Sequence, residues 1–175
     1  MKDFKKSYTK GKYQTVYNKE KGFVIAEPYP TLEELKQIYD TESYFIDDKT
    51  FTGTSKNYLG KENIYSVEYQ EFIVRLKKHL QSEDRYLMDY GCGTGTFVRT
   101  VNSLIKFEKV IGLDLSKDAI SICNEMNKDN HNVEFYSTSD YEKDFNFDCI
   151  VSLEVLEHIP NPEETVKYFK NNLRD

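Results

Sequence analysis

Between Tyr86 and Val98 an apolar strand pattern, Tyr86-Leu87-Met88, runs through Asp89-Tyr90-Gly91-Cys92-Gly93-Thr94-Gly95 into the helical spacing of Phe97, Val98, Val101, Leu104 and Ile105. A strand that must reverse into a helix within so few residues needs glycine where the backbone leaves the ordinary regions, and it points peptide N–H groups at whatever sits on the helix N-terminus. The same rhythm then repeats. Lys109–Leu113 reads as a strand, and Ser116 caps a helix bearing Ala119, Ile120, Cys123 and Met126. Val133–Tyr136 and Phe147–Ser152 read as further strands, and Asn161-Pro162-Glu163-Glu164 opens a last helix with proline at its first position. Strands alternating with helices imply right-handed crossovers and a parallel sheet, hence a doubly wound α/β domain over residues 81–175.

Residues 1–80 have a different texture, and we expect a basic arm followed by a small helical cap. Lys21–Ala26 reads as a short strand halted by Pro28 and Pro30. Thr31-Leu32-Glu33-Glu34 matches a capping box, and Leu32, Leu35, Ile38 and Tyr39 give the following helix one apolar face. Residues 40–63 lack a sustained period and read as loop, and helical spacing returns over Ile64–Leu80. Nine of the fourteen tyrosines precede residue 80, where they pack this region onto the main domain or rim a pocket.

Charge and cysteine usage narrow the function classes. The net charge is −6, yet residues 1–22 hold seven lysines against Asp3 and Glu20, so the body is strongly acidic. Such a body argues against a nucleic-acid surface, and the lysine-rich start reads as a solvated arm. Apolar residues make up 38% and charged residues 31%, without an apolar run long enough for a membrane span or a signal peptide, so a cytoplasmic protein is expected. Cys92, Cys123 and Cys149 show no CxxC spacing and read as reduced thiols, with no metal site assigned.

The acids at the strand ends discriminate between cofactors. A dinucleotide fold would place its third glycine at position 96, where Thr96 stands, and a pyrophosphate would be repelled by Asp89. A cofactor with an ammonium beside the glycine loop would instead pair with that carboxylate. Asp114, ending the next strand in Gly112-Leu113-Asp114-Leu115-Ser116, is placed to accept both hydroxyls of a ribose, a role that serves NAD equally well. Ser139-Asp140 after the third strand either accepts from an adenine amino group or is a simple loop turn.

Asp89 through Gly95, Gly112 to Ser116 and Phe147 to Pro162 together resemble the successive motifs of class I S-adenosylmethionine-dependent methyltransferases, over residues 85–175. The segment from Gly22 to Thr31, and on to Tyr44-Phe45, is similar to the lead-in of a bacterial subgroup acting on sugars, glycans or other small molecules. The cysteine pairs common upstream in that subgroup are absent, so no zinc is inherited. The resemblance implies a Rossmann-like sheet and S-adenosylmethionine as cofactor, with S-adenosylhomocysteine as product. It implies cofactor contacts from Asp89, Gly91, Cys92, Gly93, Gly95, Asp114, Leu115, Ser139, Asp140 and Glu154, and a small-molecule or sugar hydroxyl, or an amine, as acceptor.

His158 is the candidate general base by position and reference pKa. Glu154, Glu157 and His158 stand at i, i+3 and i+4, so one helical turn would gather them for a divalent cation such as Mg²⁺, as in resembling enzymes that modify small-RNA 2′-hydroxyls or quinone precursors. The reading adopted is a structural turn whose acids and imidazole serve hydrogen bonding, with Mg²⁺ as the alternative and no metal assigned. A nicotinamide-dependent oxidoreductase and a non-catalytic cofactor-binding module are the remaining readings. The superfamily sheet has seven strands, and this sequence ends after a fourth, which reads as C-terminal incompleteness. The strand around Ile150 is then an edge, expected to be covered by Phe23–Ile25, a second copy of the chain in a homodimer, or a downstream segment.

Overall fold

The computed structural model describes residues 9–20, 22–39, 62–142 and 145–174. The expected loop over 40–63 therefore falls, apart from its last two residues, outside the described residues. In chain order the elements are β1 (Thr9–Lys10), β2 (Tyr13–Asn18), β3 (Phe23–Glu27), α1 (Leu32–Tyr39), α2 (Glu62–Leu76), β4 (Tyr86–Tyr90) and α3 (Thr96–Leu104). There follow β5 (Lys109–Asp114), α4 (Lys117–Met126), β6 (Val133–Ser137), β7 (Cys149–Val151), a 3-10 turn (Leu156–His158) and α5 (Pro162–Asn172).

The main sheet is parallel in the order β6-β5-β4-β7, with Asp89 opposite both Gly112 and Val151. Two apolar clusters cover its two faces. On one, Leu87, Val110, Val133 and Phe135 meet Ile73, Phe97, Val98, Val101, Ile120 and Cys123 from α2, α3 and α4. On the other, Met88, Ile111, Leu113 and Phe147 pack with a ring of tyrosines that includes Tyr168 of α5. Each fully buried aliphatic side chain contributes ~1.5–3 kcal/mol, so this alternation is what fixes strand register. Edge-on contacts of Tyr69 and Phe72 with Phe97, at 5.5 and 5.8 Å between ring centroids, seat α2 on α3.

The N-terminal region holds more strand than its sequence suggested. Part of the lysine-rich start, assigned above to a solvated arm, forms β1 and β2, which pair antiparallel in a β1-β2-β3 sheet. Tyr13, Val16 and Tyr17 are β-formers interrupted by polar residues, a weak pattern that the hairpin turn at Gly11 completes. The capping box is present: the Glu34 N–H donates to Thr31 Oγ1 at 3.2 Å and the Thr31 N–H to Glu34 Oε2 at 2.9 Å. Glu34 also pairs with Lys12, which ties α1 to the hairpin and holds the Glu34 carboxyl down at about 2.

Phe23–Ile25 pairs with β2 and not with β7, so it is not the cover expected for that edge. A parallel bridge joins Phe147 to Leu173 instead, with the Phe147 N–H donating to the Asn172 carbonyl at 2.7 Å and the Arg174 N–H to the Phe147 carbonyl at 2.9 Å. Asp148 accepts from the N–H groups of Arg85 and Tyr86 at 2.7 and 2.8 Å and pairs with the Arg174 guanidinium at 3.0 Å. That guanidinium lies 4.4 Å from the Tyr86 ring centroid. The start of β4, the start of β7 and the end of α5 are thereby fastened at one point.

Candidate functional site

The C-terminal ends of β4, β5, β6 and β7 bring the sequence-predicted residues to one rim of the sheet, where ligands of open α/β sheets bind. Asp89 lies at the tip of β4 and is only 3% exposed. Burial, reinforced by the nearby Asp114 carboxylate, pushes its carboxyl up to about 8. An acid in such a setting gains greatly from a cation brought against it.

The glycine loop is rigidly held. The N–H groups of Gly91 and Cys92 both donate to the Leu113 carbonyl, at 2.7 and 2.9 Å, and the Gly95 N–H donates to the Cys92 carbonyl at 2.9 Å. The Gly93 N–H donates to Asp114 Oδ2 at 2.8 Å. These N–H groups, expected to point at a ligand, are spent on building the loop. Gly95 supplies the left-handed residue, φ 77°, that precedes α3. Gly91, at φ 85°, is required twice over, because a Cβ there would lie 2.2 Å from Val155 Cγ2. The turn after β7 is thus pressed directly onto the loop.

Asp114 does more than the acceptor role read from its position. Its Oδ1 takes the Ser116 N–H at 2.9 Å while Oδ2 takes that of Gly93, so one carboxylate orders both loops at the end of β5. Leu115 is half-buried beside it. Ser116 caps α4, receiving the Ala119 N–H at 3.1 Å. Ser139 donates to Asp140 Oδ1 at 2.8 Å, and Lys117 sits 3.3 Å from Asp140 Oδ2. Ser139 and, after it, Lys117 hold the Asp140 carboxyl below its ordinary value. An adenine amino group would share a carboxylate that already has two partners.

The acid and histidine cluster does not form the α-turn that the alternative of a shared cation would need. Glu154 takes a left-handed backbone, φ 55°, and the turn that follows is 3-10 and covers only Leu156–His158. Glu154 therefore does not stack on Glu157 and His158 as an α-turn would require. Among the described residues no group of three such side chains could hold a metal ion. Glu157 Oε1 lies 4.0 Å from His158 Nε2, both side chains half exposed. The residue that sequence reasoning missed is Tyr39, whose ring packs edge-on against His158 at 6.0 Å. Its place on the apolar face of α1 was legible, but its partner lies 119 positions along the chain. Tyr90, Leu113, Thr138, Tyr141 and Tyr168 line a cavity of about 230 Å³ on the α5 face, a tyrosine-rimmed pocket built after residue 80.

The donor set fits S-adenosylmethionine: a buried acid for its ammonium, an oriented carboxylate for its ribose and a glycine surface without side chains between them. A family model described as a methyltransferase domain matches residues 62–175. The mitochondrial ubiquinone biosynthesis O-methyltransferase of Dictyostelium discoideum is 32% identical over 114 residues, which cover 57% of this chain and 35% of that protein. The S-adenosylmethionine-bound structure of CalS10, an amino pentose methyltransferase from Micromonospora echinaspora, shares the fold with a TM-score of 0.53 at 18% identity, over 63% of this chain and 47% of that one. An S-adenosylmethionine-dependent methyltransferase from Clostridium acetobutylicum does so with a TM-score of 0.54 at 18% identity, over 67% of this chain and 52% of that one. The chain spans about a third of the length of that relative and about half of each of these structures.

Proposed function

The chain belongs to the class I S-adenosylmethionine-dependent methyltransferases, and on that premise we propose that it methylates a hydroxyl group of a small molecule, with His158 as general base. The observation that carries this reading is the placement of His158, half exposed on a turn that Val155 presses onto the cofactor loop at Gly91. When bound, the cofactor supplies a methyl group already made electrophilic by its sulfonium. The remaining work is positioning, desolvation and removal of one proton. Asp89 takes the ammonium and Asp114 the ribose, Leu115 and the Ser139-Asp140 turn border the adenine, and Glu154 flanks the cofactor from the turn after β7. His158 withdraws the acceptor's proton while the Tyr39 ring, packed edge-on against the imidazole, holds it in place.

A hydroxyl acceptor is favoured over an amine by the O-methyltransferase name of the relative. Phenols of the quinone-precursor class lead and sugar hydroxyls follow. Transfer of labelled methyl from S-adenosylmethionine to a panel of catechols, sugars and primary amines tests this. Labelling of catechols or sugars that His158→Ala abolishes supports the proposal, and labelling confined to amines, or unaffected by the substitution, overturns it.

A further inference from the structure

Cys92 and Cys123 are distant in sequence and adjacent in space. Cys92 belongs to the glycine loop and is 7% exposed, and Cys123 lies on the inner side of α4 with no exposure. Both thiols donate to the Gly93 carbonyl, at 3.7 and 3.2 Å, and each is within hydrogen-bonding reach of the other. A Cβ at Gly95 would come within 3.0 Å of Cys123 Sγ, and one at Gly112 within 3.0 Å of Cys92 Sγ, so the sulfurs fill the space those glycines leave. Loop, β5 and α4 meet on two sulfur atoms. The third cysteine, Cys149, lies apart on β7.

We propose that Cys92 and Cys123 are a redox modification site, oxidised by a hydroperoxide to a disulfide that closes the glycine loop to S-adenosylmethionine. One thiolate attacks the peroxide, giving a sulfenic acid and releasing the peroxide's other oxygen as water or alcohol. The second thiol then displaces the sulfenic oxygen as water. Both sulfurs are oxidised by one electron each, both peroxide oxygens are reduced, and the two thiol protons leave in the products. The new bond draws the sulfurs inside van der Waals contact and removes both donors from the Gly93 carbonyl. The Gly93 N–H, 2.8 Å from Asp114 Oδ2, shares a planar peptide unit with the Cys92 carbonyl, so a displaced Cys92 carries it away and the carboxylate that orients the ribose loses its anchor.

Burial pushes the Cys92 thiol above its ordinary value, so oxidation waits on local opening of the loop. A cofactor seated on the loop suppresses that opening, and occupancy therefore protects the pair. The inference rests on the assignment of the glycine loop to the cofactor.

The test uses the Cys149→Ser chain, which leaves the pair as its sole thiols. Hydrogen peroxide should remove two hydrogens from the intact mass, and peptide mapping should link Cys92 to Cys123. Affinity for S-adenosylhomocysteine should fall at least ~10-fold and return on treatment with dithiothreitol. Saturating S-adenosylhomocysteine should slow the oxidation ~10-fold or more. Cys123→Ser in the same background should give no disulfide and keep its affinity under peroxide; should that variant not fold, the reduced and oxidised forms of the parent carry the comparison. Persistently free thiols, oxidation of Cys92 alone to sulfinic acid, or a disulfide with unchanged affinity would overturn the proposal. Absence of S-adenosylhomocysteine binding by the reduced chain would instead remove the cofactor assignment on which it stands.

Discussion

The glycine loop and the turn at 154–158 touch each other, and they are built in opposite ways. In the loop the N–H groups of Gly91, Cys92, Gly93 and Gly95 all have partners, Asp89 and Cys92 are buried, and the chain has little room to move. In the turn Glu154, Glu157 and His158 are exposed, and His158 is steadied by one edge-on tyrosine contact and by its N–H donating to the Val155 carbonyl at 2.9 Å. On the function proposed above, the cofactor end is held by its own hydrogen bonds before any ligand arrives, and the acceptor end is the more exposed of the two. Such a division lets one fold serve many acceptors, because changes on the adjustable side leave the fixed side intact.

If the two regions are separable in function, His158→Ala should lower turnover of a hydroxyl acceptor by ~10²-fold or more while S-adenosylhomocysteine affinity stays nearly unchanged. A parallel loss of affinity, measured by titration calorimetry, would show that the turn belongs to the fixed side. Asp114→Ala should weaken S-adenosylhomocysteine by ~1–3 kcal/mol, through the lost ribose acceptor and the loosened Gly93 and Ser116 anchors. Wild-type affinity in that variant would break the assignment of the pocket.

Asp89 offers a sharper test because its effect depends on pH. Its folded-state pKa, about 8, lies above the ordinary 3.8, so between those values the folded chain retains a proton that the unfolded chain has released. Stability should fall as pH rises through that window, and Asp89→Asn should remove this part of the slope in thermal melts. The cofactor's ammonium requires the charged carboxylate, so binding expels the proton and affinity should tighten as pH climbs toward 8. Pairing of the same pH-flat affinity with wild-type and Asp89→Asn chains would refute the contact. The smallest effect is expected from Thr31→Ala, which removes the cap of α1 at ~1 kcal/mol in chemical denaturation. Turnover should drop modestly with it, since α1 carries Tyr39 to His158, and no change in turnover would detach the N-terminal region from the acceptor side.

The contrast between the regions also explains what the sequence disclosed. Asp89, Gly91, Gly95, Asp114 and Ser116 were legible because each sits within a few residues of the strand end or helix start that dictates it. The same locality revealed the Thr31 capping box and Pro162 at the start of α5. The β1-β2 hairpin was not legible, since its alternation is diluted by polar residues such as Gln14 and its stability comes from pairing with β3 and from Lys12 on Glu34. The stacking of Glu154 on His158 failed for a related reason. Periodicity assumes an α-turn, and the packing of Val155 on Gly91 accompanies a left-handed residue and a 3-10 turn instead. Contacts such as Tyr39 with His158, or Asp148 with Arg174, depend on the assembled sheet and leave no local signal.

The contact between Gly91 and Val155 also constrains how descendants of this sequence can vary. A smaller residue at 155 clears space and leaves the loop's backbone as it was. A larger residue at 91 meets Val155 at 2.2 Å, and even after 155 has shrunk it must still adopt a φ of 85°. Drift is therefore asymmetric: the second site can change first and alone, whereas the first has no neutral route even behind a compensating change. Among sequences diverging from this one, variety should accumulate on the acceptor side of that contact while position 91 remains glycine.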